Sequence, residues 1–198
     1  QMMAHKDNVV SGLGNGIDFL MRKHKITRLV GTGSVTAPGQ VTVLDEAGQE
    51  RTLTASSIVI ATGSDSAILS DVPIDEARIV SSTGALALPE VPKHLVVIGA
   101  GYVGLELGSV WRRLGANVTV IEYLDRITSG MDTELSQALH KVLEEQGFVF
   151  RLSQKVTAAR SVDDEVVLTV EPAQGGPSEE IRADYVLVSI GRRPYTDG

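Results

Sequence analysis

The sequence predicts an α/β fold, and three observations carry that prediction. A continuous apolar run, LVVI at residues 95–98, leads directly into the glycine turn GAGYVG at 99–104. An amphipathic segment follows, with Val103, Leu107, Val110 and Leu114 at helical spacing and Gly115 where a left-handed C-terminal cap is expected. A second β-branched run, VTVI at 118–121, then reads as a strand buried on both faces by crossover helices. Strand, glycine turn, helix and strand in this order form a βαβ unit of Rossmann-like type.

The remaining elements follow in order. Residues 17–25 read as a short helix after a glycine-rich opening. Short β-type runs begin at Ile26, with 41–44 and 51–53 flanking the turn DEAG at 45–48, and IVIA at 58–61 reads as a buried strand closed by Thr62, Gly63 and Ser64. Residues 65–93 contain Pro73, Pro89 and Pro92 with little periodicity and read as a linker, set at 71–93 between domains at 1–70 and 94–191. Past the second strand, Asp132 or Thr133 caps a helix whose expected face is Leu135, Ala138, Leu139, Val142 and Leu143, stopped by Gly147. A third strand at 148–150, then the stretch 155–160, a hairpin over 166–181 and a last strand at 185–190 complete a parallel sheet with an antiparallel β-meander.

Composition narrows the function. A net charge of −7 disfavours nucleic-acid binding, and the one short basic cluster, Arg22 to Lys25, suits the end of a helix. No run of 18 apolar residues exists, so neither a membrane span nor a signal peptide is visible, and the chain reads as cytosolic or organelle-matrix. The absence of cysteine removes disulfide, zinc-thiolate and thiol chemistry, and the four histidines show no metal-ligand spacing.

Residues 55–63 and 183–191 match in pattern without a gap, each after a hairpin, which suggests two related dinucleotide-binding domains. Gly191 lies 92 residues after Gly99, so an equally sized first copy would begin its own glycine loop upstream of Gln1. The chain is therefore expected to be an excerpt of a longer protein.

The glycine loop carries the chemistry. Gly99 permits the tight turn, Gly101 leaves room for a pyrophosphate, and Gly104 allows close helix–strand contact. The helix starting at Tyr102 aims unpaired amides and its positive dipole end at the phosphates. Glu122, 23 residues after Gly99, stands where an acid accepts hydrogen bonds from ribose hydroxyls. Like charge there disfavours a 2′-phosphate, which favours NAD over NADP, although Arg126 is positioned to bend back toward such a phosphate. Glu106 reads as a dipole-complementing acid in the first helical turn. FAD- and S-adenosylmethionine-binding sites use similar loops, so the motif alone does not name the ligand.

The run VVIGAGYVGLELGSVWRRLGANVTVIE at 96–122 resembles the dihydrolipoamide dehydrogenase family, as do IVIATGS at 58–64, IVSSTGALALPEVPK at 79–93 and SIGRRPYTDG at 189–198. The resemblance covers essentially the whole chain. It implies a Rossmann-like NAD-binding domain preceded by a partial FAD-binding domain, with residues 192–198 returning toward the latter. It also implies that Gly99, Ala100, Gly101, Tyr102, Val103, Gly104, Leu105 and Glu106 form the NAD loop, with Glu106 toward the nicotinamide. Glu122, Val156 and Gly191 would line the adenosine side, and Gly33, Thr62, Gly63 and Ser64 would contact FAD.

The family's redox-active cysteine pair, first FAD glycine loop and C-terminal dimerisation domain with the catalytic histidine and glutamate lie outside this sequence. The chain is therefore expected to keep the NAD docking step, no catalytic residue, and little FAD. The parent is expected to be a homodimeric flavoprotein acting on dihydrolipoyl domains of 2-oxoacid dehydrogenase complexes. An isolated nucleotide-binding module and a related NADH oxidase or ferredoxin reductase are the alternatives.

Overall fold

The computed structural model describes residues 1–196 and divides into two compact units, Gln1–Ala61 and Thr62–Gly198. Asp197 and Gly198, the end of the 189–198 motif, lie outside the described residues.

The first unit consists of helix α1 (Met2–Lys23) and the antiparallel strands β1 (Thr32–Ala37), β2 (Gln40–Leu44) and β3 (Glu50–Thr54). The β2–β3 connection falls on the predicted turn, where Asp45 accepts hydrogen bonds from the Ala47 and Gln49 amides. The helix is much longer than the expected 17–25, since it runs through Gly12, Gly14 and Gly16, whose absent side chains would have met nothing within 4 Å. No residue of this unit is buried. The IVIA run at 58–61 corrects a second expectation. It pairs with no strand, and Val59 and Ile60 are 86% and 75% exposed. Its apolar pattern suits a sheet interior, but no neighbouring strand stands there among the described residues.

The second unit contains β4 (Ser64–Ser66), β5 (Ile79–Val80), α2 (Ser82–Ala85), β6 (His94–Ile98), α3 (Tyr102–Arg113), β7 (Asn117–Ile121), α4 (Thr133–Glu145) and β8 (Phe148–Arg151). It continues with β9 (Gln154–Val162), β10 (Glu165–Pro172), β11 (Glu179–Ala183), β12 (Tyr185–Val188) and β13 (Arg192–Pro194). A five-stranded parallel sheet in the order β5-β12-β6-β7-β8 forms its centre, and β9, β10 and β11 make the meander. Residues 71–93, expected as a linker, instead carry the edge strand β5 and the short helix α2. They also contribute buried Val72, Ile79, Val80, Ala85 and Leu88.

Strand alternation divides the core into two layers. Leu95, Val97, Val118, Val120 and Leu187 point to a cluster with Leu105, Trp111 and Leu143 of the helices. Val96, Ile98, Ile121, Val186 and Val188 point oppositely, onto Ala159, Val166, Leu168 and Val170 of the meander. A strand covered on both faces needs apolar residues at every position, which is why these runs are continuous.

The helix faces differ from the predicted ones. On α3 the buried stripe is Gly104, Leu105, Gly108 and Trp111, whereas Val110 and Leu114 are exposed. Glycine lets the helix backbone close on the sheet: a Cβ on Gly108 would lie 3.2 Å from the Phe148 ring. Trp111 Nε1 also donates to the Ala85 carbonyl at 3.1 Å, joining α3 to α2. On α4 only Ser136 and Leu143 are buried, and the expected Leu135, Leu139 and Val142 are exposed. The caps agree with expectation. Asp132 accepts from the Glu134 amide, and Gly115 and Gly147 have φ of 112° and 91°. No helix among the described residues is long and apolar enough to cross a membrane.

Candidate functional site

The site forms at the carboxyl ends of β6, β7 and β12, where open parallel sheets place ligand crevices. Gly99 leaves β6 at φ 99° and donates its amide to the Ile121 carbonyl at 2.8 Å. A Cβ there would stand 2.7 Å from the Ser189 carbonyl oxygen, so both the turn and the neighbouring strand end require glycine. Ser189, which the sequence reading did not select, donates its hydroxyl toward the Ile98 and Gly99 carbonyls at 3.1 and 3.2 Å.

Gly104 and Gly101 are constrained differently. A Cβ on Gly104 would meet Ser189 Oγ at 2.4 Å and the Gly99 carbonyl at 2.7 Å, because α3 crosses the loop there. Gly101 caps α3 in ordinary extended geometry, φ −77° and ψ 171°, and no protein atom lies within 4 Å of its absent Cβ. The fold leaves that space open. It belongs to a cavity of about 420 Å³ lined by Gly99, Gly101, Tyr102, Val103, Glu122, Leu124, Ser129, Ile190 and Gly191, among others. The first amides of α3 have no intrahelical acceptor and carry the positive end of the helix dipole.

Glu122 reaches back to the loop from the end of β7. One carboxylate oxygen accepts the Ala100 amide at 2.7 Å and the other accepts the Leu124 amide at 2.9 Å. Two amides thus fix its orientation beside the cavity, and each oxygen keeps a further lone-pair direction. Arg126 does not bend back toward it. Its guanidinium donates to Thr133 Oγ1 at 2.7 Å and to the Ser129 carbonyl at 2.9 Å. The 123–131 segment is also tied to the glycine loop, since the Thr128 amide donates to the Ala100 carbonyl at 2.9 Å.

A second cavity of about 390 Å³ adjoins the first through Gly99, Glu122, Leu124 and Ile190, and is walled by Leu69, Ile98, Tyr123, Gln154, Lys155 and Val156. Val156 and Gly191 therefore line this cleft, Val156 in the second cavity and Gly191 in the first. The sequence reading missed Leu124, Ser129, Gln154 and Ile190. Ser129 lies on a loop without periodicity, whereas Gln154 and Ile190 stand within three residues of sites the sequence did mark.

Six selected positions stand apart from this cleft. Leu105 is buried with the core, so its side chain does not serve the cleft. Glu106 is the fifth residue of α3, beyond the first turn where it was expected, and lines a shallow groove with Tyr102, Val110 and Leu139. Gly33 lies on β1 in the first unit. Thr62, Gly63 and Ser64 are held by the segment around β13: Thr62 Oγ1 donates to the Tyr195 carbonyl, the Tyr195 amide donates to the Gly63 carbonyl at 3.0 Å, and Arg192 Nε donates to Ser64 Oγ at 2.7 Å.

Residues 2–198 match the family model described as pyridine nucleotide-disulphide oxidoreductase. The whole chain is 59% identical to dihydrolipoyl dehydrogenase 3 of Pseudomonas putida, of which it spans 42%. It is 49% identical to the mitochondrial dihydrolipoyl dehydrogenase of Pisum sativum over 197 residues, 39% of that protein. Among solved structures, LpdA of Mycobacterium tuberculosis superposes with a TM-score of 0.88 at 22% identity, over 100% of this chain and 43% of that one, a likeness of fold. The chain spans well under half of the length of these relatives. With the family model matched from Met2 onward, the chain belongs to the pyridine nucleotide-disulphide oxidoreductase family.

Proposed function

We infer that this chain is the NAD-docking part of an NAD-dependent dihydrolipoyl dehydrogenase. The observation that carries the reading is the pairing of an unobstructed Gly101 with the Glu122 carboxylate, held 2.7 Å from the preceding amide of the same loop, that of Ala100. The open space at the start of α3 receives the pyrophosphate on unpaired amides. Glu122, already oriented by the Ala100 and Leu124 amides, accepts the adenosine ribose hydroxyls. A 2′-phosphate would be repelled there, and Arg126 is engaged with Thr133 and Ser129 rather than available to neutralise it. Ala100, Tyr102, Val103 and Gly104 complete the loop, Val156 and Gly191 face the adenosine end, and Glu106 serves the nicotinamide end.

Gly33, Thr62, Gly63 and Ser64 are assigned to an FAD site in the whole protein. Bound FAD and NAD would supply the redox chemistry, and this chain's residues would position them. The whole protein is proposed to be a homodimer that oxidises dihydrolipoyl groups of 2-oxoacid dehydrogenase complexes, in the cytoplasm or the mitochondrial matrix. This substrate assignment is supported by the names of relatives at 59% and 49% identity. The proposed domain assignment is that residues 94–191 dock NAD, while residues 1–70 and the segment from Arg192 onward belong with FAD.

Calorimetric titration with NADH and NADPH tests the reading. NADH is expected to bind more tightly, and Glu122→Ala to weaken it by roughly tenfold or more, as for loss of charge-assisted hydrogen bonds. Tighter binding of NADPH, or an unchanged affinity in Glu122→Ala, would overturn it.

A further inference from the structure

One side chain grips the glycine loop from the neighbouring strand. Ser189 follows β12 directly, one residue past the pair Val188–Ile98, and its amide extends that ladder by donating to the Ile98 carbonyl at 2.8 Å. This register sets its side chain against the turn that leaves β6. The hydroxyl is shared between the Ile98 and Gly99 carbonyls at 3.1 and 3.2 Å. It lies pressed beneath α3, where a Cβ on Gly104 would collide with the Ser189 oxygen.

The two carbonyls belong to successive peptide units whose N–H groups both cross to the end of β7. A trans peptide is planar and points its carbonyl and its N–H in opposite directions, and the described residues contain no cis bond. The Ile98–Gly99 unit therefore runs from Ser189 to the Ile121 carbonyl, which accepts the Gly99 amide at 2.8 Å. The Gly99–Ala100 unit runs from Ser189 to the Glu122 carboxylate, which accepts the Ala100 amide at 2.7 Å. The joint between them is Gly99 at φ 99°, the residue type that least resists rotation of an adjoining peptide plane. Turned over, the Gly99–Ala100 unit would present its carbonyl to Glu122, and the carboxylate would lose its amide. The next unit, Ala100–Gly101, is held by a main-chain group, the Thr128 amide at 2.9 Å from the Ala100 carbonyl. Ser189 is thus the side chain that fixes the plane on which Glu122 rests.

We propose that Ser189 is a positioning residue for Glu122: its hydroxyl clamps the Gly99 carbonyl and thereby keeps the Ala100 amide on the carboxylate. Hydroxyl, peptide and carboxylate form one chain of hydrogen bonds, in which donation to the carbonyl strengthens the amide as a donor. Ser189 needs no contact with a ligand for this. The inference rests on the reading of this cleft as a nicotinamide-dinucleotide site and makes the choice between NAD and NADP depend on a residue that acts only through Glu122.

The test is calorimetry with NADH and NADPH on the intact protein, Ser189→Ala, Glu122→Ala and the double variant. Ser189→Ala is expected to weaken NADH by about fivefold, the scale of one neutral hydrogen bond, and NADPH by less than about twofold. Retained NADPH binding then shows that the loop still stands. In the Glu122→Ala background the same change should alter NADH affinity by less than about twofold, because the acid it positions is no longer there. A serine that merely packs the loop would weaken both dinucleotides alike and add its full effect in the double variant. Either of those results, or unchanged NADH binding in Ser189→Ala, overturns the role of Ser189 while leaving the cleft a dinucleotide site. If the wild type binds neither dinucleotide, or Glu122→Ala binds NADH as the wild type does, the reading of the cleft fails and this inference falls with it.

Discussion

Residues 55–63 and 183–191 share one pattern and meet opposite fates. In the second copy, Tyr185–Val188 form β12, fully buried and paired in parallel with both β5 and β6. In the first, residues 58–61 form no strand, and Val59, the counterpart of buried Leu187, is 86% exposed. Both runs are rich in residues with high β-propensity, so propensity does not separate them. The difference lies in their neighbours. A strand's backbone groups and both of its faces have to be satisfied by other elements, and the second unit supplies a strand on each side, helices on one face and a meander on the other.

The largest expected effect tests this contrast directly. Leu187→Ala removes a side chain with 0% exposure and should destabilise the second unit by about 2–5 kcal/mol, the range for a buried leucine. Val59→Ala at the matching position should stay within about 0.5 kcal/mol. Urea denaturation followed by circular dichroism measures both. Equal costs would mean that 58–61 is buried in solution and would erase the contrast.

Next in size is a contrast within the glycine loop. Gly104→Ala forces a methyl against the Gly99 carbonyl and Ser189 and should cost about 1–3 kcal/mol, as overpacking does. Gly101→Ala meets no protein atom, so its thermal midpoint should match the wild type. NADH binding should nevertheless fall by about tenfold or more, the scale of one lost or blocked polar contact. Normal binding by Gly101→Ala would show that the open space is not used by a phosphate.

These contrasts also show how much a sequence displays. The β6–α3–β7 unit was legible because a glycine loop and two continuous apolar strands are local signals, and Glu122 was legible from its spacing to the glycines. The buried face of α3 was not. It is built on Gly104 and Gly108, and hydrophobic periodicity counts large side chains, so it selected Val110 and Leu114 on the opposite side. Residues 71–93 were hidden for a related reason, since β5 is only two residues long and owes its place to β12, far along the chain. Residues 58–61 failed in the other direction, as a strong local signal without tertiary support. Ser189 carries no signal in isolation, because a serine at a strand end is common and its bonds to the Ile98 and Gly99 carbonyls are a fact of packing.

The smallest expected effect concerns the edge strand that residues 58–61 lack. Asp75 accepts the Ala77, Arg78 and Ile79 amides at 2.8, 2.8 and 2.9 Å, shaping the turn into β5, and Ser161 Oγ donates to its other oxygen at 3.3 Å. Desolvation pushes its pKa upward, but the three amides and the hydroxyl together outweigh it and hold the carboxyl below its ordinary value of 3.8. A group whose folded pKa is depressed stabilises fully above its unfolded value, and that contribution is lost as pH falls through the folded one. Asp75→Asn keeps an acceptor but removes the charge. Its stability deficit relative to the wild type should be constant above about pH 5 and shrink progressively below it, as the wild-type carboxylate is protonated. Urea midpoints collected across that range measure the deficit, and one that does not vary with pH would show that the ionised carboxylate is not what secures β5 beside β12.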